Sequence, residues 1–190
     1  MGKFNPEKGM VHNLDCSSLA DVVLPEKWTL YFHFPSDTSS YETSLAPVFH
    51  VATCLQWAQL VHHIPPPHPG RKLFSSDREV TVYSFFRNDI TPTWEDPLNT
   101  RGKTFTYSKG NMSVAEVINL WNTAICDCVR GAMPCTVNGI QFNVKFLCSF
   151  QRNIKLHVWC ASNECDDEII SQLHTLWNRR FRHQERPRSS

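Results

Sequence analysis

Asn88-Asp89-Ile90-Thr91-Pro92-Thr93-Trp94-Glu95-Asp96-Pro97 is the stretch on which the reading of this chain turns. It follows Val80 to Phe86 and precedes Thr104 to Tyr107, two runs of β-branched and aromatic residues that read as β-strands. The prolines mark a loop between them. In that loop a large electron-rich indole, Trp94, stands beside a carboxylate, Glu95. The pair suits a flat cationic ring that donates hydrogen bonds from its edge. The indole covers the ring face and the carboxylate accepts two N–H groups. A guanine methylated at N7 is such a ring: the methyl makes it cationic, and N1–H and N2–H point the same way. Stacking a base on an aromatic contributes about 1–3 kcal/mol. A cation over an indole adds about 0.5–2 kcal/mol. Hydrogen bonds to an ionised carboxylate are roughly twice as strong as neutral ones. The plain alternative is a Trp packed under a loop beside a solvated Glu.

Outward from this loop, strands are scattered among helices. Trp28 to Phe34 predicts a strand closed by Pro35-Ser36-Asp37, and Ala46 to Val51 predicts a second. Residues 36–44 are Ser/Thr-rich and form a loop with Tyr41 in its middle. Thr53-Cys54-Leu55-Gln56 is a capping box that opens a helix to about His63, where the prolines from Pro65 onward end it. Ser113-Val114-Ala115-Glu116 is another, opening a helix to about Val129 that Gly131 closes. Val114, Val117, Ile118, Trp121 and Ile125 recur at helical spacing, so Trp121 reads as core. Val137 to Phe150 and Asn153 to Cys160 predict two antiparallel strands. Asn163 and Glu164 begin a last helix, with Asp166, Asp167 and Glu168 at its positive end. Ile169, Ile170, Leu173, Leu176 and Trp177 line its buried face, and Arg179, Arg180 and Arg182 sit near its end. Strands among three helices give an α+β class rather than a parallel βαβ fold. Residues 1–21 read as a loose tail, 22–182 as one domain and 183–190 as a basic tail.

Composition narrows the function. A chain of 190 residues with 41 % apolar side chains fits one globular domain. Six Trp and twelve Phe supply many rings able to hold bases. A net charge of +1 argues against bulk, non-specific nucleic-acid binding, which needs many cations, and leaves room for one defined pocket. The start Met1-Gly2-Lys3-Phe4-Asn5-Pro6 lacks an apolar region, so no signal peptide is expected. No apolar run nears the ~18 residues of a membrane span, so no membrane association and a cytoplasmic location are expected. The eight cysteines form no paired CxxC modules, and Cys126-Asp127-Cys128 has the wrong separation for a zinc knuckle. They read as reduced, mostly buried thiols, with no metal and no cofactor.

Five segments carry a resemblance: Trp28-Thr29-Leu30-Tyr31-Phe32, the helix ending Leu60-Val61-His62-His63-Ile64, Ile90 to Asp96 followed by Asn99 and Arg101-Gly102, Trp121, and Lys155-Leu156-His157-Val158-Trp159. In this order and spacing the chain, from about residue 22 to 182, resembles the translation initiation factor 4E family, which binds the 5′ cap of messenger RNA. The resemblance implies a curved antiparallel sheet with about three helices on its convex face and a cap pocket on its concave face. It also implies roles. Trp94 stacks on the methylguanine, Glu95 reads its edge, and Trp159 approaches the N7 methyl. Tyr41 falls where the family has its second stacking Trp and offers a smaller π-face. Core packing is the alternative for Trp159, and loop exposure for Tyr41. For the phosphates, Lys155 matches a family Lys. Lys145 matches a family Arg and keeps its charge without the bidentate fork. An insertion around Phe146 to Gln151 brings Arg152 into play. Thr104 stands where the family has a further Arg. Arg101 or Lys103 would compensate, although strand alternation points Lys103 away from Thr104. For any one of these lysines the alternative is a solvated surface charge.

The resemblance implies a second surface, on the convex face, that grips a scaffold factor of the initiation factor 4G type. Val22-Val23-Leu24 replaces the family's His-Pro-Leu-like segment, so Val23 and Leu24 are candidate contacts. Trp57 lies one residue before the position of the family's helix Trp, here Ala58. One residue turns a helical side chain by ~100°, so Trp57 reads as a core aromatic as much as a contact. The implied function is cap binding for translation initiation without covalent chemistry. The alternative is an interaction protein or translational repressor that keeps the fold and binds cap weakly, which Tyr41 and Thr104 favour. Tyr41 and the insertion before Lys155 mark a divergent member. It is similar in this to the cap-binding proteins of trypanosomatids, whose mRNAs carry extra methyl groups on the first nucleotides, and that similarity extends the ligand to hypermethylated caps.

Overall fold

Alternation along the first strand sorts the molecule into two faces. Strand β1 runs Val23–His33. Trp28, Leu30, Phe32 and the following Phe34 are buried in the main core, while Thr29, Tyr31 and His33 turn to the other side. The computed structural model describes residues 22–35, 44–68, 72–75, 77–134, 136–148, 151–161, 166–179 and 182–184. In chain order the elements after β1 are β2 (Leu45–Thr53), α1 (Cys54–His63), β3 (Leu73–Ser75), β4 (Arg78–Val80), β5 (Val82–Arg87) and β6 (Lys103–Gly110). Then come α2 (Val114–Val129), β7 (Val137–Cys148), β8 (Gln151–Cys160), α3 (Asp166–Trp177) and β9 (Arg182–Gln184). Seven strands form one curved sheet in the order β2-β1-β5-β7-β8-β6-β9, antiparallel at every pairing. The class is α+β, as the sequence predicts.

The helices begin where their caps dictate. The Thr53 hydroxyl accepts the Gln56 N–H at 3.3 Å, and the Gln56 side chain accepts the Thr53 N–H at 3.2 Å. Ser113 and Glu116 repeat the exchange at 3.2 and 2.8 Å. Each N-cap contributes about 1 kcal/mol. The apolar stripe of α2 then packs on the sheet. Trp121 is core, as predicted, edge-on to Tyr83 at 5.5 Å and to Phe142 at 5.8 Å. From α3, Ile169, Leu173 and Trp177 join it. The Trp177 indole N–H donates to the buried Asp127 carboxylate at 2.6 Å, and Arg130 pairs with the same carboxylate at 2.6 Å. This ties α3 to α2.

The structure departs from the sequence reading in four places. The first strand starts at Val23 rather than Trp28. The run Val80 to Phe86 divides at Thr81, whose N–H bonds the His33 carbonyl at 2.8 Å. Its first part, β4, pairs with β3 in a separate hairpin, and its second, β5, enters the main sheet. Arg182 lies on the short edge strand β9 rather than at a helix end, so the expected boundary between 182 and 183 falls inside a strand. Strands of three residues are too short to leave a periodicity. Finally, Cys128 and Cys160 are buried but Cys54 is only half-buried and Cys126 is exposed, because Cys126 lies off the apolar stripe of α2. The predicted start of the last helix at Asn163 and the N-terminal tail lie outside the described residues. Among the described residues no helix is long and apolar enough to cross a membrane.

Candidate functional site

The concave face, opposite the helices, carries three rows of side chains set by strand register. Thr29, Phe86, Gly139, Trp159 and Thr104 form the first. Tyr31, Ser84, Gln141, His157 and Thr106 form the second, and His33, Val82, Asn143, Lys155 and Ser108 the third.

Aromatic side chains gather around the first row. Tyr31, Phe86, Ile90 and Trp159 make a small buried cluster apart from the main core, with Leu45 and Trp94 packed against it. Trp159 is therefore buried, at 5 % exposure, but not in the main core. The Phe86 ring meets it edge-on at 5.7 Å. Trp94, half-buried in the loop, lies over it with centroids 4.2 Å apart and a 37° tilt. Gly139 makes the arrangement possible, since a Cβ there would fall on the Phe86 ring. The Trp159 indole N–H is buried with no acceptor among the described residues.

The loop that carries Trp94 and Glu95 is tightly tied. Asn88 and Asp89 take left-handed conformations, with φ of 49° and 62°, and turn the chain out of β5. The Asp96 carboxylate accepts the Thr91 N–H at 2.8 Å and the Leu98 N–H at 2.9 Å. The Asn99 side chain donates to the Thr91 and Thr93 carbonyls at 2.8 and 2.9 Å. Asn138, from β7, donates to the Leu98 carbonyl at 2.9 Å and to the Asn99 side-chain oxygen at 3.0 Å. At the loop's end a Cβ on Gly102 would run into the Cys160 carbonyl, so the backbone passes close to β8. Glu95 is left exposed. Burial first, then the Asp89 and Asp96 charges, push the Tyr31 phenol above its ordinary pKa of 10.0. Negative charge thus gathers at the aromatic end of the face.

The second and third rows are polar. His33 Nε2 lies 2.7 Å from the Ser84 hydroxyl, to which the Gln141 amide also donates at 3.3 Å. Burial lowers His33 to about 4, so it is neutral at neutral pH. Ser84 is wholly buried and inaccessible as a nucleophile. The His157 Nδ1 is 2.8 Å from the Thr106 hydroxyl. Lys155 is half-buried on the same face as Trp159, about 13 Å further along β8.

Of the sequence-predicted residues, Trp94, Trp159 and Lys155 share this face, with Glu95 beside Trp94. Arg101 is exposed at the end of the loop. Lys103 pairs with Cys160 and so lies on the row facing the helices, away from Trp159, while Thr104 is buried beside Trp159. Lys145 and Arg152 fall on β7 and β8, in register with Asn153 and Phe146, with their side chains outside the described residues. Tyr41 also lies outside them. Sequence reasoning missed Tyr31, Phe86, His157 and Asn138. The two-residue spacing of Lys155, His157 and Trp159 was a usable signal for His157. Asn138 had none.

On the helix side, Trp57, Val61, Asn122, Thr123, Cys126, Asp127 and Arg130 line a cleft of about 490 Å³ between α1 and α2. Trp57 packs partly against the core but also lines this cleft, so it is not simply a core aromatic. Val23 is 71 % exposed and pairs with Thr53, the cap of α1, whereas Leu24 packs on the core.

Known proteins share this fold. The family model for eukaryotic initiation factor 4E matches residues 23–188. The initiation factor 4E of Candida glabrata is 28 % identical over 155 residues, which is 79 % of this chain and 67 % of that protein. That of Eremothecium gossypii is 29 % identical over 145 residues, 73 % of this chain and 62 % of that protein. The chain thus spans about two thirds of the length of these relatives. Among solved structures, Caenorhabditis elegans eIF4E-3 in complex with the 4E-binding protein Mextli and a cap analogue superposes with a TM-score of 0.67 at 17 % identity, over 86 % of this chain and 91 % of that one. A schistosome eIF4E bound to m7GpppA and a 4E-binding protein superposes with a TM-score of 0.64 at 18 % identity, over 86 % and 87 %. A match that begins with β1 and runs past β9, on a sheet of the same fold, places the chain in the eukaryotic initiation factor 4E family.

Proposed function

We propose that this protein binds the 7-methylguanosine 5′ cap of mRNA for translation initiation, by stacking and charge rather than by covalent chemistry. The observation that carries the reading is the Trp94-Glu95 loop braced beside Trp159 on the concave face, with Asp89 and Asp96 close to Tyr31. A cationic base suits that negative, aromatic end. Trp94 stacks on it, Glu95 accepts its N1–H and N2–H, and Trp159 meets the N7 methyl. A base cannot enter between rings 4.2 Å apart, so Trp94 turns off Trp159 to receive it. Tyr41 closes the other side. Lys155 takes phosphate oxygens, with Arg101, Lys145 and Arg152 as further cations. Lys103 is no longer part of this set. A cap with extra methyl groups on its first nucleotides enters the same way, since those groups lie beyond the base pocket.

The cleft between α1 and α2, lined by Trp57, is where a helix of a scaffold of the initiation factor 4G type docks, with the exposed Val23, paired with the α1 cap Thr53, as a further contact. The second reading, a repressor with weak cap binding, draws on the buried, uncharged Thr104 beside Trp159. Titrating tryptophan fluorescence with 7-methyl-GTP and with GTP separates the two. Preference for the methylated nucleotide is the expected result. Equal affinity for both would refute cap recognition and leave the repressor reading.

A further inference from the structure

We infer that Asn138 is a positioning residue that holds the backbone of the Trp94-Glu95 loop, the frame on which the Trp94 ring turns to receive the base, a role that rests on the cap-binding reading above. Asn138 sits at an irregularity in β7. Val137 pairs with Cys160 and Gly139 with Trp159, so two steps along β7 match one along β8 and Asn138 is the extra residue. A bulge of this kind re-aims a side chain out of the ladder and is common beside functional sites. Here it turns the Asn138 carboxamide onto a loop some forty residues earlier in the chain. The side chain is buried, at 5 % exposure.

Both hydrogen bonds of its amide go into that loop, one to the Leu98 carbonyl at 2.9 Å and one to the Asn99 side-chain oxygen at 3.0 Å. Holding that oxygen fixes which way the Asn99 amide faces. The Asn99 N–H groups then reach the Thr91 and Thr93 carbonyls, on the residues leading into Trp94. The path runs from a sheet residue, through one carboxamide, to the backbone that aims the indole. Asn138 also neighbours Gly139, which stands opposite both Phe86 and Trp159. One bulge therefore anchors the loop and places the floor on which Trp94 rests. Asp has the shape of Asn but cannot donate, and it would set a charge against two oxygens.

The test uses the whole chain with Asn138→Asp and Asn138→Ala. Two indoles 4.2 Å apart give an exciton couplet in far-ultraviolet circular dichroism, and loss of that couplet in Trp94→Phe assigns it to this pair. The inference expects both Asn138 variants to lose most of the couplet without ligand. It expects 7-methyl-GTP and 7-methylguanosine to weaken by the same factor, at least about fivefold, since the part of the loop held through Asn138 and Asn99, from Thr91 to Leu98, contacts the base and not the phosphates. A merely structural Asn138 would lower the unfolding midpoint and leave couplet and affinity unchanged well below it. That outcome overturns the inference. If the wild type binds no 7-methyl-GTP, the cap reading fails while the couplet still decides the role of Asn138. If neither variant folds, side-chain amide exchange in the wild type decides. The carboxamide protons of Asn138 and Asn99 should be protected, and exchange at the rate of a free amide overturns the inference.

Discussion

Gly139→Ala should disturb the site from beneath. Gly139 lies in the middle of the concave floor, opposite Phe86 on one strand and Trp159 on the other. Its φ is not positive, so Ala brings no backbone strain, and the whole effect is one of space. A Cβ built there would lie 2.5 Å from Phe86 Cδ2 and 2.7 Å from Cδ1, and would also meet Cγ. The Phe86 ring is fully buried and cannot yield without moving Trp159, which it contacts edge-on at 5.7 Å. Overpacking of this kind costs about 1–3 kcal/mol, and a lost aromatic pair adds about 0.5–1.5 kcal/mol. Denaturant unfolding of Gly139→Ala should therefore show a loss of about 2–4 kcal/mol. Phe86→Leu removes the ring that the new methyl strikes. The double variant should then be less destabilised than the sum of the singles, by at least about 1 kcal/mol. Binding of 7-methyl-GTP should weaken in Gly139→Ala, because Trp159 and the Trp94 ring resting on it are displaced. Additivity within about 0.5 kcal/mol would refute the argument, since residues that do not touch add within that margin.

Glu95→Ala should leave the fold intact, because the residue is exposed in a loop, and calorimetry should show cap affinity down at least about tenfold from the loss of charge-assisted hydrogen bonds. Tyr41→Ala should weaken the cap by about 1–3 kcal/mol in the same titration, the range for one stacked base, whereas Tyr41→Trp should keep or tighten it; an unchanged Tyr41→Ala removes Tyr41 from the pocket. His33 makes stability depend on pH. It protonates near 6.5 when unfolded and at about 4 when folded, so between those values the unfolded chain binds more protons and stability falls as pH drops. At about 1.36 kcal/mol per pKa unit the loss reaches about 3 kcal/mol, and His33→Asn should flatten the unfolding free energy over that window; an equal slope in both proteins would count against it.

Much of the scaffold was legible because it is local. Thr53 with Gln56, and Ser113 with Glu116, cap helices from within four residues of one another, and tertiary context did not override them. The aromatic-rich run Trp28 to Phe34, stopped by Pro35, marked a strand. Trp121 on a helical stripe was correctly core. The hairpin of β3 and β4 and the edge strand β9 were not legible, since three residues leave no period and owe their conformation to the strand they pair with.

Short stretches of sequence were enough for the α+β class and for the residue types of the candidate site: an indole and a carboxylate in one loop, and a Lys and a Trp four positions apart on one strand. Tertiary structure decided the geometry. It set Trp94 over Trp159 across 65 positions, put Lys103 on the far face by pairing it with Cys160, and drew Trp57 to the edge of a cleft. It also aimed Asn138 at Leu98 and Asn99 through an irregularity in pairing. The physical reason is the range of the forces. Caps and alternation act between near neighbours and are written in short words of sequence. A bulge, a register and a clamp between distant residues exist only once two strands have met, and no short stretch of this chain encodes them alone.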